Sequence, residues 1–350
     1  MAPQSAGAVG LQPRQRSPAL ISTSNNTQET PLFFSRKTLA RAALSVAGLC
    51  AALPAWAWPD RPVELVVGFA PGGGTDLTAR ALAVFLEKEL GTTVVVQNKP
   101  GASSAIALSY VARAKPDGYT LAMTNMPGLV SLPIERKAGF SAADFTYLAN
   151  LVRDPSAFSV ASDSPYQTLE ALVAAAREKP GAVSYGSTGV GTDDHLALVL
   201  FQALTGTKLN HVPYNGAGPL RSSVLGGHTV IGGLNLGEVM PYNGKNMRVL
   251  AQASEKRSPL GPDVPTFKEL GVNLVFASER GIVAPKGLPA DVAEKLRQAL
   301  GKVAANPEFQ AQMKQQFTEM DYVDGPQWQE RLKGDDARLR QIWAQTPWVE

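Results

Sequence analysis

V-E-L-V-V-G-F-A-P-G-G-G-T-D-L-T-A-R, Val63 to Arg80, passes from a β-branched strand through a glycine turn straight into an amphipathic helix. A second stretch of the same design is A-V-S-Y-G-S-T-G-V-G-T-D-D-H-L-A, Ala182 to Ala197. A helix N-terminus leaves backbone N–H groups without internal partners and carries roughly half a positive charge. Glycines let such a backbone come close to a ligand, so each stretch reads as an anion cradle. Two cradles more than a hundred residues apart predict two lobes that close on one small anion.

Strand-like and helix-like segments alternate along the chain, the pattern of an α/β protein with largely parallel sheets. Around the first cradle the pattern predicts a strand over 63–69, a helix over 76–90 stopped by Gly91, a strand over 93–97, a small-residue helix near 102–113 and a strand over 119–124. Around the second it predicts helices over 168–178 and 194–204, a strand over 209–213, a helix starting at Pro219, a strand over 229–233 and a short helix near 236–241. A strand over 248–253, a helix over 290–305 and a charged, aromatic-spiked helix over 327–343, its charges read as a solvated face, complete the chain. Crossings between lobes are expected near 158–162 and 275–281. They divide the chain into 58–157, 158–279 and 280–350, the last part returning to the first lobe.

The first 57 residues read differently. Residues 1–34 are rich in Ser, Thr, Asn, Gln and Pro without periodicity. Arg36, Lys37 and Arg41 then precede an apolar run over 42–52 and the small-residue pair Ala55 and Ala57. This is the layout of a secretory signal peptide cut before Trp58, and the run is shorter than the roughly 20 residues a bilayer span needs. The cut removes Cys50, the single cysteine, and with it disulfide and Cys-metal chemistry. It also removes five basic residues and one acidic residue from totals of 33 and 30, leaving a balance of −1. Neither nucleic acid nor an anionic membrane surface is implied as a partner. No stable membrane anchor and a monomer are expected.

In the first cradle Phe69, Ala70, Pro71, Gly72, Gly73, Gly74, Thr75 and Asp76 are the candidate contacts, with Thr75 or Asp76 able to cap the helix. No G-x-x-x-x-G-K-[ST] or G-x-G-x-x-G pattern is present, which argues against nucleotide phosphates; a plain βα turn is the other reading. The second cradle offers Ser187, Thr188, Gly189, Val190, Gly191 and Thr192, whose hydroxyls can donate to a carboxylate without a full charge. Asp193 and Asp194 favour the helix start, and at least one is expected to cap it or face outward. Ser187 does not lie in a G-x-S-x-G elbow. His195, His211 and His228 match no metal spacing and read as structural, although His195 lies in the first turn of the cradle helix. Tyr214, Asn215 and Gly216 form a third wall, and Asn235 a fourth candidate; Tyr214 is equally a rim aromatic. Arg280 is read as a surface ion pair ahead of a ligand contact. No cofactor or metal is expected.

Six ordered motifs resemble the Bug/TctC family of extracytoplasmic solute receptors. They are F-A-P-G-G-G-T-D-L-T-A-R, K-P-G-A (Lys99 to Ala102), P-D-G-Y-T-L (Pro116 to Leu121), Y-G-S-T-G-V-G-T-D-D-H-L (Tyr185 to Leu196), H-V-P-Y-N-G-A-G-P (His211 to Pro219) and P-D-V-P-T (Pro262 to Thr266). The resemblance runs from Trp58 to the C-terminus. It implies a periplasmic-binding-protein fold with two crossover strands and a cleft holding a small organic anion, usually a carboxylate, through backbone amides and bridging waters. By position, the cleft would use Phe69 to Asp76, Ser187 to Thr192, His195 and Tyr214 to Gly216. It further implies delivery to the membrane subunits of a tripartite tricarboxylate transporter, a periplasmic location and no catalysis. A hydrolase using Ser187 with His195, or a ligand sensor, are the alternatives. The chain departs from the family pattern after 124, where it reads N-M-P-G and later P-I-E-R-K-A-G-F, and at A-S-E-R-G (Ala277 to Gly281).

Overall fold

The computed structural model describes residues 58–349, so the leader, its cleavage site and Cys50 lie outside the described residues. Strand β1 (Val63–Val67) is almost wholly buried, as its nearly unbroken apolar sequence requires of a strand covered on both faces. It lies between β2 (Val94–Asn98) and β3 (Thr120–Met123), parallel to both. Between β1 and β2 runs α1 (Gly74–Leu90), ended by Gly91 in the left-handed conformation (φ 67°), whose N–H bonds to the carbonyl of Glu87. Helix α2 (Ala105–Ala112) links β2 to β3, and α3 (Gly128–Glu135) follows β3.

A 17-residue strand, β4 (Phe145–Ala161), then runs through both halves of the molecule. Up to Pro155 it pairs antiparallel with β9 (Ala277–Pro285), and over part of that length also with β10 (Glu319–Asp324). From Ser156 it pairs antiparallel with β7 (Ile231–Asn235), and from Ala157 with β8 (Met247–Gln252). In the second half α4 (Leu169–Glu178) leads to β5 (Ser184–Ser187), which lies parallel between β6 (Asn210–Pro213) and β7. The order is β2-β1-β3-β9-β4-β7-β5-β6. Two parallel-stranded halves are thus joined through two antiparallel strands. In each half the C-terminal ends of β1, β5 and β6 deliver the glycine turns, the edge at which open α/β sheets place ligands.

Helices cover the sheets: α5 (Asp193–Thr205), α6 (Ala217–Leu225) and the single turn α7 (Leu236–Val239) in the second half, then α8 (Ala290–Ala305), α9 (Pro307–Gln315) and α10 (Gly325–Gln345). On one face of the first half Leu82, Phe85, Leu296 and Phe309 form a core. On the other, Leu108, Leu129, Trp328 and Leu339 do so, joined by Leu196 and Val199 of α5, so apolar contact ties the halves together. Phe158, Tyr185, Phe201 and Phe267 pack edge to face in the second half.

Several elements differ from the pattern. The first change of partners falls at 155–156, ahead of the stretch 158–162, because β4 is one unbroken strand whose polar centre hides it. Helix α6 begins two residues before Pro219, since Gly216 (φ 126°) turns the chain at once. Strand β7 sits two residues later than expected, the amide of Val230 being taken by the Ser184 hydroxyl. Helix α10 buries Trp328, Leu332 and Leu339, and its Arg331 bridges Glu279 and Asp321, so its charges are not merely solvated.

Candidate functional site

The first cradle follows β1. Gly72 takes a positive φ of 84° and Gly73 stands at the N-cap of α1. Asp76 turns back on the loop: its carboxylate accepts from Gly72 N–H (2.9 Å), Arg80 Nε (3.0 Å) and Asn98 Nδ2 (2.8 Å). Burial pushes this carboxyl up, but the hydrogen bonds from Arg80, Gly72 and Asn98 outweigh it and hold it below the usual range. Asp76 therefore braces the turn. The N–H of Gly74 is also engaged, donating to Oε1 of Glu238 at 2.7 Å. Thr75 is buried, Pro71 exposed, and Ala70 donates its N–H to the carbonyl of Asn215 at 3.0 Å.

The second cradle, between β5 and α5, keeps its hydroxyls to itself. Thr188 donates from both N–H and Oγ1 to Asp194 Oδ2 (3.2 and 2.5 Å), and Thr192 Oγ1 donates to the carbonyl of Gly189 at 2.7 Å. Ser187 Oγ donates to that same carbonyl and lies 2.6 Å from Nε2 of His211. The donors read from sequence as free thus shape their own loop, because buried hydroxyls must be paired. Gly191 N–H donates to Nδ1 of His195, whose ring stacks on His211 at 4.1 Å. The serine therefore meets His211, not His195. Burial pushes His195 down to about 3, helped by the neighbouring His211 and Arg136, and His211 to about 4, so both rings are neutral at ordinary pH.

Neither aspartate of the helix start faces outward. Asp194 closes the turn through Thr188, while Asp193 Oδ2 accepts from Ser156 Oγ (3.0 Å) and Asn235 Nδ2 (2.6 Å). Burial raises Asp193 to about 6 and Asp194 well above its ordinary value, against hydrogen bonds that lower each. Asn235 is fully engaged: besides Asp193 it donates to the carbonyl of Asp154, and its Oδ1 accepts from Arg280 Nη2 at 2.9 Å. It is a structural hub. The Tyr214 hydroxyl points into its own half, 2.6 Å from both Ser223 and Thr229.

Arg280 corrects another expectation. Its side chain is completely buried, paired with Asp154 at 2.9 Å and Glu238 at 3.5 Å on the strands and turn that join the halves. Burial drives Asp154 up to about 7, with the Arg280 guanidinium acting against that rise. Glu238 escaped sequence reasoning, yet N-L-G-E carries a signal: Asn235 and Glu238 form a capping box, Glu238 Oε2 accepting from the Asn235 N–H.

Each glycine turn is in contact with the other half of the molecule. Besides the Ala70–Asn215 and Gly74–Glu238 bonds, Ser131 Oγ donates to Gly191 O at 2.5 Å and Arg136 Nη2 to Val190 O at 3.2 Å. Backbone conformation calls for glycine at both Gly216 (φ 126°) and Gly191 (φ 79°), and a Cβ at Gly216 would also stand 3.3 Å from Ala70 N. Among the described residues there is no cluster of three or more metal-ligating side chains, and no helix long and apolar enough to cross a membrane.

The chain and its fold are matched by known proteins. A family model described as the tripartite tricarboxylate transporter family receptor covers residues 78–345. The chain belongs to this family. It is 36% identical over 292 residues to the UPF0065 protein in gbd 5′ region of Cupriavidus necator, covering 83% of this chain and 88% of that one. The periplasmic binding protein BugD superposes with a TM-score of 0.77 at 30% identity, over 82% of this chain and 98% of its own. An R. palustris protein solved with adipate, Rpa4515, gives 0.78 at 31% identity, over 82% and 97%. The family and the fold are those of substrate-binding receptors and not of enzymes.

Proposed function

We propose that this tricarboxylate-type receptor works in the periplasm after removal of its leader, holds a small organic acid between its two glycine turns, and delivers it to membrane subunits of a tripartite tricarboxylate-type transporter. The observation that carries the reading is that each glycine turn, at the C-terminal end of a buried parallel strand and the start of a helix, reaches the other half of the molecule. Backbone dipoles there favour a carboxylate without needing a cationic side chain. The relative solved with adipate supports an acid of this class. The lobes divide where β4 exchanges partners and where β9 begins, so closure is a movement about those two strands. Binding then stabilises the closed arrangement by its differential affinity for it.

The site offers the ligand the main-chain N–H groups of Phe69 and Gly73, of Val190, and of Asn215 and Gly216, while the amides of Ala70, Gly72, Gly189 and Gly191, with Asp76, Asn235 and the Tyr214 hydroxyl, serve the scaffold. Calorimetric titration and thermal shift with short mono- and dicarboxylates test this. At least one acid should raise the melting temperature in a concentration-dependent way, as a ligand of the folded state must. Stabilisation by cations or nucleotides alone would overturn it.

A further inference from the structure

Three consecutive residues ahead of α2 have positive φ although none is glycine: Ala102 (47°), Ser103 (56°) and Ser104 (77°). Left-handed backbone is unfavourable for L-residues, and it persists where the surroundings over-determine it, above all at ligand clamps. The surroundings here are the cradles themselves. Ser104 lies against the residue that opens the first one: a Cβ built on Gly68 would come 2.2 Å from the Cβ of Ser104. Ser103 reaches the opposite half, where a Cβ on Gly189 would stand 2.5 Å from its Oγ. Two adjacent serines therefore touch both turns at once.

Ser104 has a second peculiarity. It is only 4% exposed, and its hydroxyl has no hydrogen-bond partner among the described residues. The oxygen lies 4.0 Å from the Cβ position of Gly128 at the start of α3, which places it at the edge formed by the ends of β1 and β3. Ser104 is also the N-cap of the eight-residue α2, yet its side chain makes no capping bond. A buried hydroxyl that neither caps its helix nor bonds a neighbour is costly to keep unless something else uses it.

We propose that Ser104 is a ligand-binding residue: its hydroxyl, with the leading amides of α2, donates to a carboxylate oxygen of the bound acid. Ser103 sets how closely the second glycine turn can approach that oxygen. The inference rests on the receptor reading above and adds to it a fourth donor segment, the loop after β2. A neutral hydroxyl adds a hydrogen bond without a counter-charge, in keeping with a gap whose other donors are main-chain amides.

The test pairs affinity with ligand-free stability in Ser104→Ala and Ser104→Gly. An unused, unpaired hydroxyl can be deleted without loss, so both variants should melt no lower than wild type without ligand. Ser104→Gly also relieves the backbone. Affinity for the acid that wild type binds best should fall about tenfold in both, which separates the lost donor from relieved strain. Wild-type affinity in both variants, or a lower ligand-free melting temperature with affinity intact, would mean that Ser104 only packs. Failure of wild type itself to bind any acid would overturn this inference together with the receptor reading, whereas equal binding by wild type and variants overturns this inference alone.

Discussion

The backbone N–H of Gly74, at the first turn of α1, donates to the carboxylate of Glu238 at 2.7 Å, across 164 residues of sequence and from one half of the molecule to the other. An in-chain carboxylate thus occupies part of the positive helix end that the sequence assigned to a ligand. The same oxygen faces Arg280 Nη2 at 3.5 Å, so this helix terminus is wired to the strands that join the halves.

Replacing Glu238 should therefore cost stability. Glu238→Ala leaves the Gly74 amide and one face of Arg280 buried without an acceptor, a loss of about 1–3 kcal/mol. Glu238→Gln keeps a neutral acceptor of the same length and should lose less. Urea unfolding of both variants checks the order; equal stabilities would show that the carboxylate contributes through its charge and not through the Gly74 bond.

Much of this arrangement was written in local sequence. The strand–glycine–helix runs at Val63 and Ala182 announce the sheet edges and both turns, since only an apolar run followed by glycines and a capped helix reads that way. The helix over 290–305 carries the same clarity. What stayed hidden depends on contacts far apart in the chain. Strand β4 mixes Arg153, Asp154 and Pro155 into its centre, which breaks any apolar alternation; Arg153 stays exposed, and Asp154 is buried against Arg280, which arrives 126 residues later to pair with it. The hydroxyls of Ser187, Thr188 and Thr192 look like ligand donors in sequence, because the acceptors that engage them are set by the turn itself. Helix α9 did leave a local mark, Asn306 capping Glu308 and Phe309 with Pro307 at the first position.

Gly189 should be intolerant of a side chain for a reason beyond its own backbone. Its φ is 143°, and an added Cβ would meet Ser103 at 2.5 Å from Oγ and 3.3 Å from Cα in the other half. Gly189→Ala is expected to hold the turns apart and weaken acid binding at least about tenfold, on the order of 1.4 kcal/mol. Gly181→Ala is the control, with φ 79° and nothing within 4 Å of the new Cβ. It should lose stability through backbone strain alone and bind normally. Titration calorimetry on the two variants separates closure from strain.

The stacked histidines set a pH dependence with a definite sign. In the unfolded chain both titrate near 6.5, whereas burial holds His211 down to about 4 and His195 to about 3 in the native state. Below 6.5 the unfolded chain therefore takes up protons that the native protein refuses. Their contribution is complete above 6.5 and is lost as pH falls through that value toward 4 and then 3. Asp193 and Asp154, raised by burial to about 6 and about 7, oppose this, since in the native state they bind protons first. His211→Gln keeps a hydrogen-bond partner for Ser187 and removes one histidine. Its stability should fall less steeply than that of wild type between pH 6.5 and 4, measured as unfolding free energies at several pH values. Parallel curves would mean that His211 titrates alike in both states.

Arg280 gives the sharpest test of how the halves are joined. It is fully buried, and its Nη atoms serve Asp154, Asn235 and Glu238 at once. Deleting one member of a buried ion pair strands the other, at about 3–5 kcal/mol, whereas replacing both by apolar groups of similar size can be nearly neutral. Arg280→Met should therefore destabilise by that amount. Adding Asp154→Leu should recover part of it, because the stranded carboxylate is gone and Glu238 still has the Gly74 and Asn235 amides. Arg280→Lys keeps the charge, but a single ammonium lacks the planar fork that reaches three acceptors, so it should fall between the two. A double-mutant cycle on residues 154 and 280 in urea reads the coupling directly. Additive losses would mean that Arg280 is held by Asn235 and Glu238, and that the two joining strands are not locked through its pairing with Asp154.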